Sequence, residues 1–338
     1  MKVHAASVNP MDAGAASGMY KDFMQARFPY IPGLDLSGVI DSVGPGVTEF
    51  AVGDEVFGSV KKAFFGAGSF AERVTAGTSN VFRKPSSIRH DAASTAGVAA
   101  VTALAMADAI EARPGQVIVV VGASGGVGSY LVQLLAGQRA RVVAVARGER
   151  AAYLRGLGAS EVIDYTAGDL VSRLAASYPG GIDALADLAS DNDAFALLAT
   201  QVKEGGRAAS TVGAADIEGL KKLGVVAQNV MESPPGAGAP ARHFGLRSST
   251  TYEPRRQRDP VALRELLEQI EVWRRAVARR DRTPSLLVLA GNRHVDRQRG
   301  HLAEAVFEPA GEDELDEPRG RRPIVPKGVR DAAWLEDV

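Results

Sequence analysis

Hydrophobic and polar residues follow three different rules along this chain. Over the first ninety or so positions they alternate in short stretches cut by glycine and proline. Val3-His4-Ala5-Ala6-Ser7-Val8-Asn9-Pro10 alternates as a strand that stops at the proline. Short β-branched runs at 37–43 and 70–74 are set off by the turn settings Ile31-Pro32-Gly33, Val43-Gly44-Pro45-Gly46-Val47 and Ala51-Val52-Gly53-Asp54-Glu55-Val56-Phe57-Gly58. This pattern predicts a small, irregular all-β domain with strongly bent strands. From 89 to 111 the chain becomes alanine-rich and helical, and Pro114-Gly115 ends that stretch.

The second rule begins at Val117-Ile118-Val119-Val120-Val121, an unbroken β-branched run of the kind buried on both faces of a sheet. Gly122-Ala123-Ser124-Gly125-Gly126-Val127-Gly128 follows, and an apolar helical pattern starts at once with Ser129-Tyr130-Leu131. Further strands are predicted at 141–146, 161–165, 181–188 and 207–213, with a helix at 149–157 and a turn at 203–206. Strands alternating with helices at this spacing predict a parallel, doubly wound α/β sheet.

The third rule starts near residue 232. Ser233-Pro234-Pro235-Gly236-Ala237-Gly238-Ala239-Pro240 has linker composition, and the remainder holds 18 of the chain's 30 arginines but one lysine, Lys327. A stripe of Leu263, Leu266, Leu267, Ile270, Trp273 and Val277 predicts one amphipathic helix over 260–280. The three rules divide the chain into 1–96, 97–232 and 233–338.

Composition narrows the chemistry. Hydrophobic content of 46% and a formal net charge of -1 over 338 residues give no electrostatic case for nucleic acid or membrane as principal partner. The chain has no cysteine, which removes disulfides, cysteine-ligated zinc and thiol nucleophiles. His4, His90, His243, His294 and His301 are scattered, with no pair at metal-ligand spacing. No leader pattern or membrane-spanning run is present, and the cytoplasm is the expected compartment.

The order strand, glycine turn, helix is the context in which a dinucleotide-binding fingerprint is credible. Gly125 allows close backbone approach to a pyrophosphate, Gly128 allows the helix to pack on the strand, and the helix N-terminus offers N–H groups and positive dipole. The next strand ends Ala146-Arg147-Gly148-Glu149-Arg150, with no acid at its tip. An acid there would accept from the ribose 2′-OH of NAD, whereas Arg147 and Arg150 suit the 2′-phosphate of NADP. NADPH is the expected cofactor.

The box Asn9-Pro10-x-Asp12, the stretches at 29–39 and 52–57, Gly68-Ser69-Phe70-Ala71-Glu72 and the 123–128 turn together resemble zinc-independent medium-chain dehydrogenase/reductases, specifically their quinone oxidoreductase branch. The resemblance runs from about residue 3 to 231. It implies a GroES-like β domain joined to a Rossmann domain, hydride transfer from NADPH to a quinone or α,β-unsaturated carbonyl, and a homodimer as a common assembly. It places Asn9 and Asp12 beside the nicotinamide and makes Tyr20 a donor to the acceptor oxygen. Thr102 then lies near the nicotinamide ribose, and Arg150 and Tyr165 line the 2′-phosphate pocket. Ser124, Gly125, Gly126, Val127, Gly128, Arg147, Val212 and Gly213 complete the cofactor set. Zinc-binding relatives need a Cys ligand and a Gly-His-Glu box; here Asp35 stands at that box with no adjacent His.

Short-chain dehydrogenases also carry a glycine turn, but none of the seven tyrosines here has Lys four positions later. Beyond 232 the resemblance ends. A shifted reading frame there, and an internal start at Met1 that drops an opening hairpin, are the expectation; an added partner-binding module is the rival. The functional alternative is a non-catalytic NADPH-binding remnant.

Overall fold

The computed structural model describes residues 1–22 and 24–230. The linker, the 260–280 helix and the shifted-frame expectation lie outside the described residues.

The chain opens with β1 (Lys2–Ala5) and α1 (Pro10–Ala16), followed by β2 (Ala26–Ile31), β3 (Asp35–Val39), β4 (Glu55–Ser59), β5 (Phe65–Ala67) and β6 (Val81–Arg83). β1, β3, β4 and β6 form an antiparallel sheet in that order, and β2 pairs with β5 in a small parallel ribbon. The expected β domain is therefore present, with two departures. The run at 70–74 forms no strand, only an isolated bridge of Arg73 with Lys2. β1 stops at Ala5, four residues before Asn9, and Pro10 opens a helix instead of only ending a strand. Proline suits a first helical position, where its fixed φ is already helical and its missing N–H has no intrahelical partner to lose.

Two helices, α2 (His90–Ala93) and α3 (Ala99–Ile110), lead into the parallel sheet. There follow β7 (Val117–Val121), α4 (Gly126–Gly137), β8 (Arg141–Ala146), α5 (Ala151–Gly156), β9 (Glu161–Asp164), α6 (Leu170–Ser177), β10 (Ile182–Asp187), α7 (Asn192–Ala199), β11 (Val202–Ser210), α8 (Ile217–Lys222) and β12 (Val226–Asn229). Asp169, Asp191 and Asp216 cap α6, α7 and α8, each carboxylate accepting a backbone N–H three residues on. The six strands lie in the order β12-β11-β10-β7-β8-β9, all parallel.

Two features of this sheet differ from the sequence reading. The turn placed at 203–206 lies inside β11: Ile182 pairs with Val202 and Ala184 with Arg207, so four residues bulge opposite Asp183. β12 forms a sixth strand beyond the five expected; Val-Ala-Gln-Asn is too short and mixed to signal one by pattern. One apolar core runs from Phe57 and Ile88 through Met106 and Ile110 of α3 to Leu131 and Leu135 of α4, so the β domain and the parallel sheet share it.

Candidate active site

In this strand order β7 lies between β8 and β10, and the chain winds outward from it in both directions. The C-terminal ends of β7 and β10 therefore flank the crevice where open α/β sheets bind ligands. The glycine turn sits there. Gly122 takes φ +75, Ala123 is buried beneath the turn, and Gly125 is the extended N-cap of α4. Ser124, Gly125 and Val127 are half-buried at its surface. A Cβ on Gly128 would stand 2.6 Å from the Ala123 carbonyl oxygen and closer still to that of Gly122. Only glycine lets α4 approach the end of β7 this closely.

Asp187, unforeseen from sequence, ends β10 beside Val121 and is fully buried. Its Oδ1 accepts the Ala189 and Ser190 N–H groups at 2.9 Å each, while Oδ2 has no partner. Its one sequence signal is an acid closing the apolar run Ala184-Leu185-Ala186. On the same edge, Ser210 Oγ accepts from Val212 N at 3.2 Å, and Gly213 (φ +79) follows in the same loop.

At the ends of β8 and β9, Arg147 Nε donates to Tyr165 Oη at 3.2 Å. The nearby Asp164 carboxylate is engaged locally, accepting from Thr166 N (2.9 Å) and Thr166 Oγ1 (2.7 Å). Arg150 instead lies 3.9 Å from Glu149. The structure thus brings Arg147 and Tyr165 together and leaves Arg150 beside an acid of its own turn. The close glycine turn, the N-terminus of a three-turn helix and the unpartnered Asp187 oxygen fit a dinucleotide laid across this edge.

The candidates of the β domain gather around α1. Asn9 is its N-cap, and Asp12, at the third helical position, returns Oδ2 to the Asn9 N–H at 2.7 Å. Asp12 is buried, and burial holds its carboxyl above the usual range. The structure therefore gives it a helix-capping job. It also lines a shallow pocket with Ala15, Tyr30, Leu34, Phe64 and Phe65. Burial and the Asp12 charge both raise the Tyr30 phenol, a second residue not foreseen. Tyr20 packs its ring over Gly14 of the same helix and 6.0 Å from the Phe65 ring. Thr102 lies apart from this group, its hydroxyl donating to Val98 O at 2.8 Å within α3.

Asp35, which opens β3, is fully buried. Its Oδ2 accepts from Ser7 Oγ at 2.8 Å and Asn9 Nδ2 at 3.0 Å, and Oδ1 is unpartnered. Burial, opposed by those two hydrogen bonds and by the Val98 backbone N–H, pushes its carboxyl from 3.8 to about 7. Between these values the folded chain holds a proton that the unfolded chain has released, so this group's stabilisation is lost as pH rises toward 7. The expected size is roughly 4 kcal/mol. Urea unfolding at pH 4.5 and 7.5 checks it: the stability advantage of wild type over Asp35→Asn shrinks by several kcal/mol at the higher pH. An unchanged difference overturns the assignment.

The histidines, scattered in sequence, are partly gathered in space. His4 and His90 stack with ring centroids 4.5 Å apart, so two residues 86 positions apart share a site. His90 Nδ1 lies 2.7 Å from Ser37 Oγ and Nε2 lies 3.4 Å from Glu55 Oε1. The line of serine, imidazole and carboxylate resembles a nucleophilic triad, but Ser37 is fully buried in β3 and bonds Val56 O at 2.9 Å. Among the described residues no group of three or more His, Cys, Asp or Glu could hold a metal ion.

Comparison with known proteins agrees with this architecture. Residues 1–86 match the alcohol dehydrogenase GroES-like domain, and residues 126–230 match the domain described as zinc-binding dehydrogenase. The mitochondrial NAD(P)H oxidoreductase RTN4IP1 of Bos taurus is 33% identical over 196 residues, 53% of this chain and 49% of that protein. The chloroplast envelope quinone oxidoreductase homolog of Arabidopsis thaliana is 34% identical over 171 residues, 49% of this chain and 51% of that one. The chain thus spans about half the length of these curated relatives. Among solved structures, an alcohol dehydrogenase superfamily protein from Novosphingobium aromaticivorans superposes with TM-score 0.63 and 25% identity over 81% of this chain and 78% of its own. The Coxiella burnetii quinone oxidoreductase gives TM-score 0.59 and 25% identity over 69% and 73%. A GroES-like β domain followed by a parallel dinucleotide-binding sheet defines a medium-chain dehydrogenase/reductase. This chain belongs to that family, among its quinone-oxidoreductase-like members. Of these relatives, RTN4IP1 is an NAD(P)H oxidoreductase by name.

Among the described residues no helix is long and apolar enough to cross a membrane.

Proposed function

We propose that this chain is a metal-free oxidoreductase that takes hydride from NADPH and delivers it to a quinone or an α,β-unsaturated carbonyl. The observation that carries the cofactor choice is the Arg147–Tyr165 hydrogen bond at the tips of β8 and β9, where an NAD site would carry an acid. The metal-free part rests on the donor set. The chain has no cysteine, and Asp35, at the position of the zinc relatives' box, is committed to Ser7 and Asn9.

When bound, the reduced nicotinamide supplies the hydride. The protein's share of the work is binding, orientation and charge stabilisation. The glycine turn and the first N–H groups of α4 would donate to the pyrophosphate oxygens, and Arg147 would offer a planar fork to the 2′-phosphate with Tyr165 accepting from its Nε. Asn9 presents its amide at the nicotinamide side of the cleft. Tyr20 supplies the hydrogen bond to the acceptor oxygen, which gains a proton as the acceptor gains the hydride.

Purified chain, NADPH and 9,10-phenanthrenequinone test this reading by loss of the reduced-nicotinamide absorbance. The expected result is quinone-dependent oxidation of NADPH at a higher kcat/KM than of NADH. Tight NADPH binding with no turnover on quinones or enones would overturn catalysis in favour of a non-catalytic NADPH binder.

A further inference from the structure

Asn9 is a short amide on an N-cap, and an amide at such a place has two flip states that differ by exchanging a donor for an acceptor. What fixes the flip is the group it faces. Here that group is the Asp35 carboxylate, whose Oδ2 takes Asn9 Nδ2 at 3.0 Å and Ser7 Oγ at 2.8 Å. An ionised carboxylate only accepts, so the amide nitrogen is drawn toward Asp35 and the amide oxygen is turned away. We propose that Asp35 is the positioning residue of this site: it locks the flip and placement of the Asn9 amide and thereby sets the rate of hydride transfer without touching cofactor or substrate. The inference rests on the proposed role of Asn9 at the nicotinamide and deepens it.

Three further observations support this. First, Asp35 cannot swing away. It is fully buried, and Gly97, just before α3, packs so closely that a Cβ there would collide with Asp35 Oδ1 and the Gly58 carbonyl. Second, the segment carrying Gly97 is tied to the cofactor edge, because Thr95 Oγ1 and Tyr130 Oη of α4 lie 2.7 Å apart. The charge on Asp35 and the helix that starts at the glycine turn are therefore joined through a few direct contacts. Third, the Asn9 backbone N–H is held by the Asp12 carboxylate at 2.7 Å, which fixes the residue at the N-cap while its side chain is bonded from both Asp12 and Asp35.

The titratable groups facing Asp35 are Asp12 from α1, whose charge adds to the rise that burial gives Asp35, and Tyr130 from α4, whose phenol is pushed up to about 12 by burial first and by the Asp35 charge after it. With Asp35 itself near 7, its ionised form predominates only at neutral pH and above. Protonation gives the carboxyl a donor and removes its preference for the amide nitrogen, so kcat falls as pH drops through about 7.

The test has two arms. In ¹⁵N-labelled protein without cofactor, the Asn9 side-chain amide pair should be shifted from exposed-amide values. It should titrate near pH 7 and lose that titration in Asp35→Asn, the variant that keeps the shape of the carboxyl. In turnover, Asp35→Ala and Asn9→Ala each should lower kcat on the order of tenfold, with the KM for NADPH moving less than about threefold. The double variant should lose no more than the worse single, because both remove one interaction. Asp35→Asn, which keeps an acceptor oxygen in place, should recover part of the Asp35→Ala loss. Additive losses in the double variant, or an Asn9 amide indifferent to Asp35 and to pH, overturn the proposal. If wild type turns over no acceptor, the enzymatic reading fails, while the amide resonance still decides whether Asp35 orients Asn9.

Discussion

Gly128→Ala loses most of the NADPH affinity of this chain, by about tenfold or more, while Gly137→Ala in the same helix leaves affinity unchanged. A Cβ at 128 would stand 2.6 Å from the Ala123 oxygen and 2.7 Å from its carbon, both main-chain atoms that no rotamer change can move aside. α4 must therefore back away from the end of β7, carrying with it the N–H groups that face the pyrophosphate. Overpacking of this kind costs about 1–3 kcal/mol in stability, and a helix displaced by a fraction of an ångström loses charge stabilisation besides. Gly137 closes α4 with nothing within 4 Å of its hypothetical Cβ, so alanine there gains roughly 0.5–1 kcal/mol of helix propensity. Fluorescence titration with NADPH and thermal melts of the two variants check the contrast. Equal affinity in both would remove the glycine turn from the cofactor site.

That glycine was legible because its signal is local. Strand, turn and helix follow one another within residues 117–137, and the physics that selects glycine acts between neighbours in sequence. The same holds for β8, where the sequence-based bounds 141–146 coincide with the strand. What the chain hid depends on distant pairs. β12 is a strand because β11 offers it an edge, not because Val-Ala-Gln-Asn insists on one. The 203–206 stretch has turn composition, but pairing of Ile182 with Val202 recruits it into β11 as a bulge. Asp35 and Asp187 each interrupt an apolar stretch with one acid, and nothing local says which ligands or neighbours would share the burial. Asp12 was legible through the family resemblance, and the structure adds a helix-capping task that the spacing Asn9-x-x-Asp12 also allows.

Replacing Arg147 with alanine abolishes preference between the two nicotinamide cofactors by damaging only one of them. The guanidinium is exposed and tethered through Nε to Tyr165, which leaves its two terminal nitrogens free of that bond. Those nitrogens match two phosphate oxygens, a pairing available in NADPH and missing from NADH. Arg147→Ala should therefore lower kcat/KM for NADPH on the order of tenfold while that for NADH stays within about twofold. Tyr165→Phe removes the oxygen that accepts from Nε and keeps the ring, so its loss should be smaller, roughly threefold, and again confined to NADPH. Because the site is open to solvent, the NADPH preference of wild type should shrink between about 0.05 and 0.5 M salt, whereas Arg147→Ala shows little salt dependence. Arg147→Glu carries the logic further: the carboxylate repels the 2′-phosphate and can accept from the ribose 2′-OH, which turns the preference toward NADH. Parallel losses with both cofactors would instead make Arg147 a general support of the β8–β9 edge, and the choice of NADPH would then have to rest on Arg150.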